Sequence, residues 1–287
     1  MKLSNDKVFG GGQDNLSSRL DFDADKTSYS VAEQNSRKAG FTLAEVLITL
    51  GIIGVIAAIT LPTLIQKHND RVTITKLKKF MSVMNSAITM VINENGPIES
   101  WDLVASDYDE ETGSSPESTA GKDAFIKKYI LPYVKYSSYC MYGDSTCKKY
   151  DRYSLDGTRF SSWVNRIVLA DGSVLTGAYI NYADCAGHVG KSKQLQNVCG
   201  QFFYDVNGGG HPPNKTGEDV FVFWFTKYGV VPLGTQAETA YSFKNFCNMS
   251  VKAPLNGYGC AAWVIYNENM DYKYCNDLSW DGKKTCK

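Results

Sequence analysis

The stretch RKAGFTLAEVLITLGIIGVIAAITLPTLI, residues 37–65, decides how the rest of this chain is read. From Phe41 to Ile65 the only charge is Glu45. As a helix rising about 1.5 Å per residue, that run is long enough to cross a hydrocarbon core of roughly 30 Å. A secretory signal peptide has a shorter apolar region closed by a small-residue cleavage site. Here the apolar run is long and passes into helix-compatible sequence, so it reads as a retained membrane segment. Pro62 lies near its end, where it is expected to kink or loosen the helix. A lone carboxylate in lipid costs on the order of a few kcal/mol, so Glu45 must find a partner, lose its charge or reach water at the interface.

Outward from this stretch the helix is expected to continue. Ile74, Leu77, Met81, Met84, Ile88 and Val91 recur at spacings of three and four, one apolar stripe down a helix. Lys76, Lys79, Ser82, Ser86 and Asn93 lie mostly off it, and Gly96-Pro97 supplies the stop. An unbroken helix over 41–93 would measure roughly 80 Å. Before the stretch, residues 1–40 are polar, with a glycine run at 10–12 and acids at Asp21, Asp23 and Asp25. Without hydrophobic periodicity they are expected to hold little stable structure.

The chain of 287 residues balances 30 lysines and arginines against 30 aspartates and glutamates, so net charge draws it to no nucleic acid. Aromatic residues make up 13%, including 18 tyrosines, the composition of a folded chain. All eight cysteines fall at or after Cys140, a clustering that suits disulfides in an oxidising compartment.

Residues 96–287 read as a disulfide-rich α+β head with antiparallel β-sheet. By composition 113–123 is a loop, and 123–136 is a short helix interrupted near Pro132. Asp171-Gly172 between apolar, β-rich runs predicts a hairpin over 165–180. Residues 219–234 predict a buried strand, a turn near Gly229 and a short return, and 260–268 a further strand.

The stretch 40–65 closely resembles the N-terminal signature of type IV pilins and type II secretion pseudopilins. Gly40 matches the residue before the cleavage point, Phe41 the first mature residue, and Glu45 the fifth; Gly54 and Pro62 fall where the family often has its helix-loosening residues. The resemblance implies a leader at 1–40, a transmembrane helix half at 41–65, an amphipathic half at 66–95 and a head at 96–287. It implies cleavage after Gly40 by the prepilin peptidase and methylation of the new amine of Phe41. In the family the glutamate pairs with the N-terminal amine of a neighbouring subunit, which would make Glu45 a register device. The implied partners are other pilin or pseudopilin subunits, the peptidase, an assembly platform and membrane lipid. The implied location is a single pass in the inner membrane, head in the periplasm or outside, before filament assembly. Counting only Lys67, Arg71, Lys76, Lys78 and Lys79 against Lys26, Arg37 and Lys38 would put the head in the cytoplasm. Arg37 and Lys38 at the boundary and the cysteines outweigh that count. A mature chain of residues 41–287 is long for an abundant repeating subunit, which points to a minor or specialised one. The presence of Glu45 argues against the tip pseudopilin type. The alternative is an adhesin or binding head that uses the helix only as an anchor; no residue set supports an enzyme.

Two further patterns stand in the head. The cysteines fall in chain-neighbour pairs 140/147, 185/199, 247/260 and 275/286, one of 105 connectivities open to eight cysteines. Without C-x-x-C and with three histidines, zinc is disfavoured. In DVNGGGHPPNKTGEDV (205–220), Asp205, Asn207, Glu218 and Asp219 supply oxygens that glycines could fold around a hard cation. The opening resembles a calcium-binding EF-hand loop, but Thr216 stands where the bidentate glutamate belongs. Some major pseudopilins bind calcium in a head loop; a calcium ion and a metal-free surface loop both remain open. His188 three residues after Cys185 fits no nucleophile motif, and the 208–210 glycines lack the Lys-Ser/Thr of a phosphate loop.

Overall fold

The structure, a computed structural model, describes residues 40–107, 115–141, 144, 147, 150–160 and 165–286. The expected leader, apart from Gly40, lies outside the described residues. The chain divides into two compact units, Met1–Gly54 and Val55–Lys287. Helix α1 (Leu43–Asn95) includes Pro62. Proline has no N–H, so the bond that residue 62 would donate to the carbonyl of Ala58 is missing although the helix continues. Gly96 ends it with φ +79°, a left-handed conformation that favours glycine at a helix C-terminus.

The expected stripe is the buried face of α1: Leu77, Met84, Ile88 and Val91 are fully covered, joined by Phe80 and Ala87. What covers them is a six-stranded antiparallel sheet in the order β1-β4-β5-β6-β7-β8. Its strands are β1 (Tyr136–Cys140), β4 (Arg166–Leu169), β5 (Val174–Ile180), β6 (Val198–Asp205), β7 (Val220–Thr226) and β8 (Gly229–Pro232). A two-stranded pair, β2 (Arg152–Tyr153) and β3 (Arg159–Phe160), stands apart from it. The alternation of side chains along a strand splits β7 between two cores. Phe221, Phe223 and Phe225 join the core with α1, while Val220, Val222 and Trp224 face a second cluster with Phe203 and Leu233. Burial on both faces explains why this strand reads as a continuous apolar run.

The predicted hairpins are present: β4 and β5 flank Asp171-Gly172, and β7 pairs with β8 from Thr226 and Gly229 outward. Gly229 (φ +116°) abuts α1 so closely that a Cβ there would lie 2.2 Å from Asn85 Oδ1. The same oxygen accepts a hydrogen bond from Val230 N at 2.8 Å, docking the sheet edge on the helix.

Two expectations are corrected. The loop expected over 113–123 is, from Pro116, the start of α2 (Pro116–Tyr129). Ser115 caps it, its Oγ accepting from Ser118 N at 3.0 Å, and Pro116 occupies the first turn, where its missing N–H does no harm. The strand expected over 260–268 is instead helix α4 (Ala261–Asn267), which follows the one-turn α3 (Phe243–Phe246) in the chain. A short apolar run bears no period that separates a buried helix from a buried strand. Here Trp263 stacks on Phe243 at 4.1 Å, and Ala262 N donates to Leu233 O at 2.9 Å.

All four chain-neighbour cysteine pairs are disulfides: Cys140–Cys147, Cys185–Cys199, Cys247–Cys260 and Cys275–Cys286. None of the eight cysteines is a free thiol, so Cys185 is no nucleophile.

Candidate functional site

Gly40 and Phe41 precede the first turn of α1 and are exposed. Thr42 and Glu45 satisfy each other across that turn. Glu45 N donates to Thr42 Oγ1 at 3.2 Å, while Glu45 Oε2 accepts from Thr42 N at 2.8 Å and from Thr42 Oγ1 at 2.9 Å. This is a capping box, two backbone donors that the helix itself leaves open being met reciprocally. The Thr-x-x-Glu spacing of residues 42–45 is the sequence signal of that box. No cationic side chain among the described residues pairs with Glu45. Its carboxylate lies in the first turn of the helix, four residues after Phe41.

The rest of the apolar half is equipped for lipid. By length and composition α1 is apolar enough to cross a membrane, and its apolar part is not buried. Its hydroxyls turn back on the helix: Thr49 donates to Val46 O at 3.0 Å and Thr60 to Ile56 O at 2.9 Å. Polar groups satisfied inside the helix can sit in hydrocarbon. Gly54 has open space where a side chain would be.

The 205–220 loop is built differently from the set expected from sequence. Asp205 Oδ1 accepts from Asn207 N (3.2 Å) and Gly208 N (2.8 Å). Asp219 is fully employed, accepting from Lys215 N (2.6 Å), Asn214 N (2.8 Å) and Asn207 Nδ2 (3.2 Å). Glu218 pairs with Lys215 at 3.7 Å, and Thr216 donates to Asn256 O at 2.7 Å. Three buried oxygens have no hydrogen-bond partner: Asp205 Oδ2, Asn207 Oδ1 and Asn214 Oδ1. The buried Tyr150 hydroxyl beside them has none either. Among the described residues no three His, Cys, Asp or Glu side chains gather into a metal cluster, so a cation would depend on asparagine oxygens.

Burial pushes Asp205 up to about 7, with the charge of Asp219 adding to it, and burial pushes Asp219 up to about 6. A third buried acid, Glu238, was not evident from sequence. It accepts from Trp224 Nε1 and Gly234 N, both at 2.9 Å, and from Tyr241 N at 3.2 Å, and burial pushes it up to about 7. With three N–H donors closed around it, Glu238 is a tie for the 234–241 loop.

Residues 35–61 match the prokaryotic N-terminal methylation motif, the signature of type IV pilins and pseudopilins. Residues 63–281 match the model of a family of unknown function (DUF6613). The chain belongs to that family. The DUF6613 match covers the second half of α1 and the head, and the methylation motif covers the stretch before it, so Gly40, Phe41, Glu45 and Gly54 all fall within the motif. No curated protein and no solved structure matches the chain. The motif and the apolar helix together mark a membrane-anchored precursor of pilin type, a structural subunit that assembles with others.

Proposed function

We propose that the chain is a minor or specialised subunit of a type IV pilus-like or type II secretion pseudopilus filament. It is cut after Gly40 and methylated on Phe41, with its head on the periplasmic or outer side. The observation that carries this reading is the carboxylate of Glu45, tied only to Thr42 and free of any counter-charge among the described residues. Cleavage would create an amine on Phe41, and a neighbouring subunit's amine would supply the missing charge. The four disulfides support the location of the head. Three of the five basic residues that argue the other way are engaged by the head: Lys76 Nζ donates to Val206 O at 2.7 Å, Lys78 pairs with Glu268, and Lys79 pairs with Asp171 at 3.0 Å. Intact-mass and N-terminal peptide analysis of the protein from its native membrane should show a chain beginning at a singly methylated Phe41. A chain retaining residues before Phe41 in sheared filaments would refute the processing.

We further propose that the 205–220 loop holds a calcium ion, with Asp205, Asn207 and Asn214 as donors and water completing the shell. The support is the three unpartnered buried oxygens; oxygen donors of this kind suit a hard cation. Because burial raises the folded-state values of Asp205, Asp219 and Glu238, the folded head holds their protons better than the unfolded chain does. The contribution of these three groups to stability is therefore greatest below about pH 4 and falls as pH rises towards about 7. Calcium should offset that fall at pH 7.5 and do little at pH 5. At free calcium near 100-fold above Kd the gain is about 2.7 kcal/mol, or roughly 5–10 °C in Tm for a domain of this size. Asp205→Asn should remove the response; a Tm at pH 7.5 unmoved by millimolar calcium would reject the metal. Asp219→Ala is a poor test, since Asp219 anchors loop backbone whatever is bound.

A further inference from the structure

Just past its apolar run, the charges of α1 are divided between the head and the outside. Between Ile65 and Glu94 the lysines and arginines are Lys67, Arg71, Lys76, Lys78 and Lys79, and the only acid is Asp70. The head engages the last three cations. It also takes the acid: Lys273 Nζ lies 3.0 Å from Asp70 Oδ1, the two side chains being 11% and 18% exposed. Lys67 and Arg71 are exposed, with the exposed His68 between them, and among the described residues neither pairs with a carboxylate. Like charges four residues apart on a helix repel, and the one acid beside them is already held by Lys273. The Lys273–Asp70 contact also brings segment 271–274 of the head alongside this turn, where Tyr274 is 58% exposed. The two further acids whose charge reaches Tyr274 are engaged elsewhere: Asp271 Oδ2 accepts from Cys286 N at 2.8 Å, and Glu218 pairs with Lys215.

We propose that Lys67 and Arg71 bind the headgroup phosphate of an anionic phospholipid at the bilayer surface and so fix the depth of α1 in the membrane. The inference goes beyond the filament reading and needs only that the apolar run lies in lipid. At about 1.5 Å per residue, Lys67 and Arg71 lie about 3 and 9 Å past Ile65. The headgroup layer is about 5–8 Å deep on each side of the hydrocarbon, and long basic side chains reach back to that level. There the Arg71 guanidinium can hold a phosphate through two N–H groups while Lys67 adds a point charge. A phosphate between the two cations relieves the repulsion that no acid of the chain relieves. Two unopposed positive charges favour an anionic lipid over a zwitterionic one. Tyr274, an amphipathic ring exposed beside the same turn, suits the headgroup level as well.

The test titrates the full chain in detergent with phosphatidylglycerol and, separately, with phosphatidylcholine, and counts bound lipid by native mass spectrometry. At about fivefold per basic residue, the wild type should prefer phosphatidylglycerol about 30-fold. Lys67→Gln combined with Arg71→Gln should bring the preference close to one and leave the Tm unchanged, since both side chains are exposed. Lys127→Gln combined with Lys128→Gln removes the same charge from α2, whose Tyr129 stacks on Trp101 past the other end of α1. That variant should keep the preference. Millimolar glycerol phosphate should not displace the lipid; if it does, the pair is a site for soluble anions and the bilayer assignment fails. A wild type without the preference, a Lys67/Arg71 variant that retains it, or an equal loss in both double variants would overturn the proposal. None of these outcomes bears on filament assembly, which is read separately from Glu45.

Discussion

Glu45→Ala is expected to abolish filament assembly while leaving the subunit folded and in the membrane. In the isolated subunit the side chain's hydrogen bonds are confined to Thr42, across the first turn of α1. Losing a helix cap costs about 1 kcal/mol, borne by an exposed helix end. In a filament the same change would leave the amine of a neighbouring Phe41 buried without its partner, at about 3–5 kcal/mol per contact. Each 1.4 kcal/mol is roughly a factor of ten, so the concentration needed for growth would rise by roughly two to three and a half orders of magnitude. Glu45→Gln separates the two roles. Its amide oxygen can still accept the Thr42 bonds, so it should restore the cap but not assembly. Shear preparation and immunoblotting report filaments, near-UV circular dichroism the head, and membrane fractionation the anchor. Normal filaments from Glu45→Ala would favour a head that uses its helix only as an anchor.

Phe80→Ala should be the most damaging change in the covered half of α1. Phe80 is 3% exposed, stacks on Tyr204 at 4.0 Å and meets Phe223 edge-on at 5.0 Å, so one ring ties the helix to both β6 and β7. Removing a buried phenylalanine costs about 3–5 kcal/mol, against a total of about 5–15 kcal/mol for a domain. At roughly 2–4 °C per kcal/mol the melting temperature should fall by about 6–20 °C. Phe80→Leu keeps most of the volume and should lose clearly less, and Val83→Ala on the open face should change little. Thermal unfolding of the full chain in detergent, followed by near-UV circular dichroism, gives the comparison. A Phe80→Ala protein within 1 kcal/mol of wild type would mean that the sheet does not depend on α1 for its core.

Much of this molecule is legible along the chain because its signals are local. The membrane half shows as an uninterrupted apolar run, the covered face of α1 as a period of three and four, and the β4–β5 hairpin as Asp-Gly between β-rich runs. The disulfides follow the same logic: the paired cysteines are 7, 14, 13 and 11 residues apart, and short loops close at little entropic cost. The differences are local as well: Ser115-Pro116 caps a helix among loop-like neighbours, and residues 261–267, too few for a period to show, form a helix where a strand is expected.

The sequence by itself determined the candidate cleavage site at Gly40–Phe41, the isolated charge of Glu45 and the helix that follows. All of these depend on residues close together in the chain. Only the tertiary structure decided which oxygens of the 205–220 loop lack partners, that Glu238 closes a loop from inside, and which charges of α1 the head engages. Burial and hydrogen-bond partners are set by elements far apart in sequence, here a helix near residue 85 meeting strands more than a hundred residues later, and no local pattern encodes that meeting.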